Sequence, residues 1–459
     1  MLKELIEAPE TDAIEIVALG EDGLEGWLAA EPPETAAWIG ATRFAAKPGK
    51  HCLVPGADGT IARVLLGVTG ERDPWAYGGL PAALPDGDYR LADGLDREAA
   101  SDAALGWALG AYRFTRYREP EERLARLVWP EACDRARVEN LAAAITLARD
   151  LINTPAEDMG PGELAGAATG LAAEHGAAAA VTVGDDLLAA NYPAVHAVGR
   201  AATRAPRLID LTWGAVDAPK LTLVGKGVCF DSGGLDLKPA SGMKLMKKDM
   251  GGAALVLGLA GALMGAGLDL RLRVLVPAVE NAVAGNALRP LDVIATRKGL
   301  TVEVGNTDAE GRLILCDALA EADSEAPDLI VDCATLTGAA RVALGPDVPA
   351  LYTPDDALAA DLLRHAAAER DPLWRMPLWR PYREMLDSKV ADINNIADGP
   401  YAGSITAALF LEEFVSETRA WAHLDMMAWN LKARPGRPVG GEAMGLRALY
   451  AMIVERFAG

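Results

Sequence analysis

The sequence has a large deficit of positive charge and contains little histidine or cysteine. Its 459 residues include five histidines and five cysteines, and the formal charge is −21 because 65 acidic residues outnumber 44 basic ones. This deficit argues against nucleic acid or an anionic membrane surface as the main partner. The cysteines form no C-x-x-C pair and are odd in number, so we expect reduced, buried thiols and a cytoplasmic location.

Common enzyme signatures are also missing. The sequence contains no H-E-x-x-H zinc motif, no G-x-S-x-G nucleophile elbow, no Walker phosphate loop and no clear dinucleotide fingerprint. His423, in the run Trp421-Ala422-His423-Leu424-Asp425, has two interpretations, a metal ligand or a structural residue. The scatter of the five histidines along the chain favours the structural one.

A signal peptide and a membrane span are not expected. The first seven residues, Met1 to Glu7, are acidic and lack the basic and then apolar pattern of a signal peptide. The run from Met250 to Leu268 is uncharged, but it is rich in glycine, and Asp249 and Asp269 flank it directly. We therefore predict a buried helix over Ala253–Met264 rather than a transmembrane segment.

The length predicts two domains, since one core rarely grows to this size. Residues 1–130 mix short apolar runs with glycine and proline turns, which indicates a smaller α/β domain. Apolar residues recur at helical spacing from Asp134 to Ile152, so we predict a connecting helix over residues 131–152. Residues 153–459 would form the second, larger domain.

The larger domain alternates extended and helical patterns, which predicts an α/β fold with a mixed, largely parallel sheet covered by helices. Predicted strands are Leu208–Trp213, Leu221–Val224, Leu272–Val276 and Leu329–Cys333, and predicted helices are Gly162–His175, Ala253–Met264 and Arg312–Ala322. Residues Ala295–Val304 resemble an inserted hairpin. Ligands bind beyond the carboxyl ends of such strands, so we expect the site in the loops that follow Val224, Val279, Val304 and Ala334.

The decapeptide Val304–Leu313 concentrates charged groups in a short space. In an extended backbone, Asp308 and Glu310 would point to the same face. Two carboxylates on one face repel each other unless a positive group lies between them, which would be Arg312 or metal ions. A solvated turn before a helix is the alternative.

A second stretch supplies partners for these carboxylates. The segment from Gly225 to Pro239 predicts a glycine-rich loop system that carries Lys226, Asp231 and Lys238, and Asp249 follows at the start of a helix. Asp249 alone could be a helix cap, and Lys226 alone could pair with Asp231. Together with Asp308 and Glu310, however, these residues form an oxygen-rich set of the kind that holds two divalent cations.

These motifs resemble the leucine aminopeptidase (cytosol aminopeptidase) family. The resemblance covers roughly residues 135–459, and its most specific part is the octapeptide Asn306–Leu313. Its motifs are Gly225-Lys226-Gly227, Phe230-Asp231-Ser232-Gly233-Gly234, Lys238-Pro239, Lys248-Asp249-Met250-Gly251-Gly252, Asn306-Thr307-Asp308-Ala309-Glu310-Gly311-Arg312-Leu313, Ala334-Thr335-Leu336-Thr337-Gly338 and Tyr401-Ala402-Gly403-Ser404-Ile405-Thr406.

The resemblance implies an exopeptidase with two divalent ions, Mn²⁺ or Zn²⁺. Residues 153–459 would then be the catalytic metallopeptidase domain. A water that bridges the metals would attack the N-terminal peptide bond, with a preference for apolar first residues such as leucine. One ion would be held by Lys226, Asp231, Asp249 and Glu310, and the other by Asp231, Asp308 and Glu310.

The resemblance also implies roles for the surrounding residues. Lys238 and Arg312 would be the catalytic pair, and a bicarbonate ion would bind to Arg312 and to the amides of Gly311 and Leu336. Substrate contacts would come from Met246, Thr335, Leu336 and Gly338. The family further implies peptide substrates and a homo-oligomer, a hexamer built from two trimers.

Two points remain open at this stage. The run from Gly436 to Gly445 departs from the family's commoner small-residue pattern near the side-chain pocket, so the preferred first residue is not decided. Some relatives of such enzymes act as regulators or DNA-binding proteins. The intact set of ligand and catalytic residues and the charge of −21 favour the enzyme.

Overall fold

The computed structural model describes residues 3–10, 12–119, 124–416 and 420–457. The chain divides into two compact units. The first comprises Met1–Thr146 with Lys432–Val439, and the second comprises Leu147–Leu431 with Gly440–Gly459.

The first unit contains a six-stranded sheet in the order β1-β6-β5-β2-β4-β3. All neighbouring strands are parallel except β3 and β4. The strands are β1 (Leu5–Ile6), β2 (Ile14–Leu19), β3 (His51–Pro55), β4 (Ile61–Gly67), β5 (Asp88–Leu91) and β6 (Arg126–Val128). The helices are α1 (Glu21–Ala29), α2 (Pro33–Thr42), α3 (Leu80–Ala83) and α4 (Arg97–Ala111), with a short 3₁₀ turn at Pro74–Ala76. The expected smaller α/β domain is present.

The predicted helix after residue 130 is also present, as α5 (Arg135–Asn153). The strands after it are β7 (Ala178–Val183), β8 (Arg207–Trp213), β9 (Lys220–Gly225), β10 (Gly227–Asp231), β11 (Arg271–Asn281), β12 (Val293–Ala295), β13 (Thr301–Glu303), β14 (Leu329–Ala334), β15 (Ala350–Tyr352), β16 (Trp374–Arg375), β17 (Ile393–Asn394), β18 (Trp421–Asp425), β19 (Trp429–Asn430) and β20 (Gly440–Gly441).

The helices that follow α5 lie in the second unit. They are α6 (Pro161–His175), α7 (Asp186–Ala189), α8 (Pro193–Gly199), α9 (Ala240–Met243), α10 (Gly251–Gly265), α11 (Glu310–Ser324), α12 (Gly338–Leu344), α13 (Asp356–Ala368), α14 (Gly403–Glu412) and α15 (Leu446–Phe457). Short 3₁₀ helices occur at Ala156–Asp158, Met246–Met250 and Arg380–Leu386. The predicted helices all occur: α6, α10 and α11 are one to four residues longer than predicted, and α5 begins four residues later than the predicted residue 131.

The main sheet has nine strands, in the order β16-β15-β18-β14-β9-β11-β8-β7, with β10 also pairing with β11. Its centre, β18-β14-β9-β11, is parallel, and antiparallel pairs lie toward both edges. The mixed, largely parallel sheet is therefore confirmed. The central strands β9 and β14 are mostly apolar, and all their residues except Lys220 are buried, as expected for a sheet covered on both faces.

Helix α10 is the uncharged segment that resembled a membrane span. Nearly every one of its residues is buried, and such all-round burial explains why the helix has no polar face. Its start presses against the sheet, because a Cβ on Gly252 would lie 2.0 Å from the carbonyl oxygen of Cys333. In the described parts of the chain, no helix combines the length and apolarity needed to cross a bilayer.

Two expectations about strands need correction. Residues Gly227–Asp231, expected as loop, form β10, because after the break at Lys226 the chain pairs with the end of β11 beyond the point where β9 stops. The hairpin of β12 and β13 is present, but β13 also pairs with β17 and so belongs to a separate three-stranded sheet. The loop after Val304 therefore does not leave the main sheet.

Asp317 connects three elements inside the second unit. Its side chain is fully buried on α11 and accepts hydrogen bonds from the amides of Ala194 and Val195, at 2.8 and 3.3 Å, and of Arg297, at 2.8 Å. Burial raises the pKa of Asp317 to about 6, although the backbone donors oppose this shift. The carboxylate thus caps the start of α8 and holds the hairpin turn.

We expect Asp317→Ala to lower the free energy of unfolding by roughly 2–4 kcal/mol, because it leaves three backbone donors without their acceptor. Urea denaturation measures the difference. The control is Asp217→Ala in an exposed turn, which should change stability by less than about 0.5 kcal/mol. Equal stability of the two variants would contradict the capping role.

Candidate active site

The polar groups of the site lie at the carboxyl ends of the central strands. Lys226 occupies the break between β9 and β10, Asp231 ends β10, and Asn281 ends β11. Thr335 follows the last residue of β14. Parallel strands bring these ends to one edge of the sheet, which is the location that the sequence predicted.

Lys226 is buried between two carboxylates. Its Nζ lies 2.6 Å from Oδ2 of Asp249 and 2.9 Å from Oε1 of Glu310. Burial opposes the charge on the amine, but Asp249 and Glu310 outweigh it and raise the pKa of Lys226 above its ordinary value. The simple pairing of Lys226 with Asp231 that the sequence left open does not occur.

Lys238 bridges the other two carboxylates and is more accessible. Its Nζ lies 2.8 Å from Oδ2 of Asp231 and also pairs with Oδ1 of Asp308. The side chain is 15% exposed, compared with 3% for Lys226. Burial again opposes the charge, and the neighbouring carboxylates raise the pKa of Lys238 overall.

Asp231, Asp308 and Glu310 form one oxygen cluster. Each offers a carboxylate oxygen, and these oxygens all lie within 4.8 Å of one another. Burial and the charge of Asp231 raise the pKa of Asp308, and the same two causes raise the pKa of Glu310 to about 8. The three carboxylates thus repel each other in a poorly solvated place.

The backbone around Asp308 is not extended, contrary to the expectation from the sequence, so an extended strand is not what brings the carboxylates of Asp308 and Glu310 together. Asp308 lies in a turn, and Glu310 is the first residue of α11. The amide of Asp308 donates to the side chain of Asn306, at 2.7 Å, which closes the turn before the helix begins. The two carboxylates meet because a tight turn runs directly into a helix.

The donor set fits divalent cations. Oε1 of Glu310 has the ion pair with Lys226, whereas the buried Oε2 has no partner among the described residues. A buried carboxylate oxygen normally has a partner, so Oε2 indicates a place for a cation. Aspartate and glutamate oxygens are the ligands that hard divalent ions take.

Asp249 does not cap a helix. It is the penultimate residue of the 3₁₀ helix Met246–Met250, which precedes α10, and its Oδ1 accepts a hydrogen bond from the hydroxyl of Thr335, at 2.8 Å. Burial disfavours the charged form, but Lys226 and Lys248 offset it and hold the pKa of Asp249 below its ordinary value. Asp249 therefore faces the cluster as a carboxylate, consistent with the ligand interpretation over the cap.

Arg312 is buried one turn into α11. Its Nη1 donates to the carbonyl oxygen of Asn395, at 2.6 Å. Burial lowers the pKa of Arg312 to about 10, so the group stays charged at neutral pH. Beside it, Gly311 packs on Lys226, since an added Cβ would lie 2.5 Å from Cε of the lysine. Any larger residue at 311 would displace Lys226.

The four residues expected to contact substrate lie around this edge. Met246 is buried, Leu336 is half-buried, and Gly338 is exposed at the start of α12. The amide of Leu336, expected to bind an anion, donates to Oδ1 of Asp425, at 3.0 Å. The hydroxyl of Thr335 is likewise engaged, with Asp249.

Sequence reasoning missed a set of supporting residues. Asn281 donates from Nδ2 to Oδ1 of Asp231, at 2.9 Å, and to the carbonyl of Thr307, at 3.1 Å. The carboxylate of Asp236 accepts from the amide of Thr307, at 2.8 Å. The polar stretch after Val279 was a signal for Asn281, but no local pattern identifies the partner of Asp236.

His423 has the structural role that the sequence favoured. It is fully buried, and its Nδ1 lies 2.6 Å from Oδ1 of Asp332. The ring stacks on those of Trp421 and Tyr352. The five cysteines are all unpaired thiols, and all but Cys133 are buried.

The fold and the site together define a metal-dependent hydrolase, in which carboxylates at the edge of an α/β sheet hold divalent ions. The model of the cytosol aminopeptidase family, catalytic domain, matches residues 146–450, and that of the M17 aminopeptidase N-terminal domain matches residues 14–130. The chain belongs to the cytosol aminopeptidase (M17) family, which confirms the resemblance drawn from the motifs.

Known proteins are similar to this chain in sequence and structure over most of its length. The crystal structure of the cytosol aminopeptidase from Coxiella burnetii is 50% identical, covers 99% of each chain and superposes with a TM-score of 0.95. The bottromycin maturation enzyme BotP in complex with Mn is 35% identical, with a TM-score of 0.88 over 97% of this chain and 100% of the other. Peptidase B of Serratia proteamaculans is 42% identical over 71% of this chain and 78% of its own length.

Family membership makes the chain an aminopeptidase that depends on divalent metal ions, and peptides are the substrate class it implies.

The raised pKa of Glu310 predicts a pH-dependent stability in metal-free protein. The folded state holds a proton between pH 4.5 and about 8 that the unfolded state has released. The free energy of unfolding should therefore fall as the pH rises through this range, by at least about 1 kcal/mol.

Urea denaturation of chelated protein at several pH values measures this slope. Glu310→Gln cannot ionise and should flatten it, whereas Glu384→Gln, at an exposed site, should leave it unchanged. The same slope in the parent and in Glu310→Gln would show that Glu310 titrates normally.

Proposed function

We propose that this chain removes the N-terminal residue of peptides and favours apolar first residues such as leucine. The observation that carries the proposal is the cluster of Asp231, Asp308 and Glu310, whose oxygens lie within 4.8 Å of one another, with the partly exposed amine of Lys238 beside it. The carboxylate cluster could thus bind cations directly beside the Lys238 amine, which could contact a bound substrate.

The proposed metal ligands are those named by the resemblance. Lys226, Asp231, Asp249 and Glu310 would hold one ion, and Asp231, Asp308 and Glu310 the other. The ions would be Mn²⁺ or Zn²⁺, and the Mn complex of BotP supports manganese. When bound, such a pair would acidify a water molecule for attack and could take the substrate's free α-amine.

Lys226 and Lys238 would have different roles because their surroundings differ. Lys226 is sealed beneath Asp249 and Glu310 and can act only on what lies inside the cluster. A cation bound in the cluster would balance the charges of Asp249 and Glu310 in place of the Lys226 proton. The amine of Lys226 could then lose that proton and act as a ligand. Metal binding should therefore release protons.

Lys238 is placed to act on substrate. Its ammonium group keeps its proton and its side chain is partly exposed, so it could donate to the carbonyl oxygen of the scissile bond. As negative charge develops on this oxygen, the interaction strengthens. A donor that is already oriented by Asp231 and Asp308 needs little reorganisation when the reaction occurs.

Arg312 would help to hold an anion that moves protons, for which bicarbonate is the candidate. The buried guanidinium has one group engaged with Asn395, while its Nε has no hydrogen-bond partner in the part of the chain that is described. Gly311 lies in the first turn of α11, where backbone amides lack partners within the helix. Leu336 would contribute only if its amide leaves Asp425.

The remaining parts of the proposal concern first-residue preference, assembly and location. Met246, Thr335, Leu336 and Gly338 would contact the substrate. The hexamer is the assembly that the resemblance to the family implies, and the name cytosol aminopeptidase of the Coxiella burnetii relative supports a cytoplasmic location. A panel of aminoacyl amides tests the preference for leucine, and light scattering tests the assembly.

We expect removal of metal to abolish hydrolysis of a leucyl amide, and Mn²⁺ or Zn²⁺ to restore it. Acetylation of the substrate's α-amine should prevent cleavage, because the amine is one of the groups that the metals hold. Full activity in chelated protein that metal analysis shows to be free of metal would refute the role of the metal ions. Efficient cleavage of the acetylated substrate would refute the exopeptidase assignment.

Lys238→Ala should retain both metals and change KM little, while kcat falls by roughly 10²–10³. The reason is that the amine acts on charge that develops only in the transition state. Steady-state kinetics and metal analysis provide the measurement. The matched control is Lys244→Ala, an exposed lysine six residues along the chain, which should keep parental kcat. Near-parental kcat in Lys238→Ala with both metals bound would remove the residue from the mechanism.

A further inference from the structure

One buried side chain connects the turn that carries Asp308 with the arginine that follows it. Asn395 lies just after β17 and is fully buried. Its Oδ1 accepts hydrogen bonds from the amides of Gly305 and Asn306, at 2.8 and 3.2 Å. Its Nδ2 donates to the carbonyl oxygen of Asn306, at 2.8 Å.

These bonds reach Asp308 through a single residue. Asn395 holds Asn306 by both its amide and its carbonyl, so the backbone of Asn306 cannot rotate freely. The side chain of Asn306 in turn accepts from the amide of Asp308, at 2.7 Å. The direction of the Asp308 carboxylate therefore depends on Asn395, although the two side chains do not touch.

The backbone of Asn395 makes a second connection. Its carbonyl oxygen accepts from Nη1 of Arg312, at 2.6 Å, and its amide donates to the carbonyl of Glu303, at 2.9 Å. The first bond sets the direction of the guanidinium, and the second ties the residue to β13, which leads into the turn. A shift of Asn395 would therefore move Asp308 and Arg312 together.

We propose that Asn395 is a positioning residue, which fixes the Asp308 turn and the Arg312 guanidinium relative to each other. It touches neither the reacting atoms nor the carboxylate cluster and acts only through its neighbours. Outer partners of this kind orient metal ligands, and their loss typically costs about 10- to 100-fold in metal affinity or activity. The inference rests on the proposed function, because it concerns the same site.

The principal test measures binding of Mn²⁺ to metal-free protein by calorimetry, together with kcat and KM for a leucyl amide. Asn395→Ala should bind Mn²⁺ about 10-fold more weakly or worse, and kcat should fall about 10- to 100-fold with KM within about 3-fold. A purely structural role would lower stability alone. Parental Mn²⁺ affinity and kcat in folded Asn395→Ala would overturn the inference.

A second variant covers the case in which Asn395→Ala does not fold. Asn395→Asp keeps the shape and both accepted bonds, but an oxygen would face the carbonyl of Asn306 where Nδ2 donates, so it should show a loss of the same kind. Parental kcat and affinity in Asn395→Asp, when Asn395→Ala is unfolded, would assign the residue to folding and overturn the proposal.

Coupling provides an independent readout. If Asn395 acts partly through Arg312, the loss of kcat caused by Asn395→Ala should be clearly smaller in an Arg312→Ala background than in the parent. Fully additive losses would show that the two residues act separately and would overturn the connection.

The matched control is Asn286→Ala. Like Asn395, Asn286 binds an arginine through its carbonyl, with Nε of Arg200 at 2.8 Å, and holds backbone through Nδ2, at 2.7 Å from the carbonyl of Arg200. It lies on an exposed loop, and its removal should leave metal affinity and kcat parental. A parent protein that neither binds Mn²⁺ nor cleaves the amide would overturn the proposed function and this inference with it.

Discussion

Four carboxylates are held close together in a buried place, and their mutual repulsion is the constraint on which the site depends. Asp231, Asp249, Asp308 and Glu310 are opposed at short range by the amines of Lys226 and Lys238. Desolvation penalises every one of these charges, so the arrangement persists only if other groups compensate. The two lysines compensate in part, and Oε2 of Glu310, which has no partner among the described residues, indicates where a further positive charge could bind.

The chain meets this constraint by supplying the charges from separate elements that are each rigid. Lys226 lies where β9 gives way to β10, and its backbone bonds both to Cys333 of β14 and to Ala253 of α10. Asp308 and Glu310 come from a turn and a helix that leave the smaller three-stranded sheet. Hydrogen bonds from Asn281, Thr307 and Asn395 join these elements. These hydrogen bonds keep the elements from moving apart and so oppose the repulsion among the acidic side chains.

Burial also distinguishes two residues of the same type. Lys226 and Lys238 both pair with two carboxylates, and both are held as ammonium groups by them. Lys226 is closed off by the close packing of Gly311, whereas the side chain of Lys238 is partly exposed. Identical chemistry in two environments thus gives one group that can only balance charge inside the cluster and one that can meet a ligand.

Much of this could be predicted from residue patterns, because those patterns reflect local physics. Helical spacing located α5, α6, α10 and α11, and the alternation of apolar runs indicated a parallel sheet with polar groups at its carboxyl edge. The clustering of acids, lysines and glycines in two short stretches predicted Lys226, Lys238 and the four acids that the fold brings together, but not Asp236. Local sequence did not show that Gly227–Asp231 would pair as a strand with the end of β11. It also did not show that Asp308 would approach Asp231 from a different sheet.

Contacts between residues distant in sequence decided which charged groups pair and which residues support the site. Lys226 had Asp231 as a neighbour in sequence, yet it pairs with Asp249 and Glu310, because the 3₁₀ helix before α10 and the start of α11 bring those two acids to the break after β9. Asn395 lies 83 residues from Arg312, and no periodicity or motif relates the two. Hydrogen bonds and ion pairs form between groups that the folded backbone places within about 3 Å. For residues distant in sequence, only the packing of the elements sets that separation.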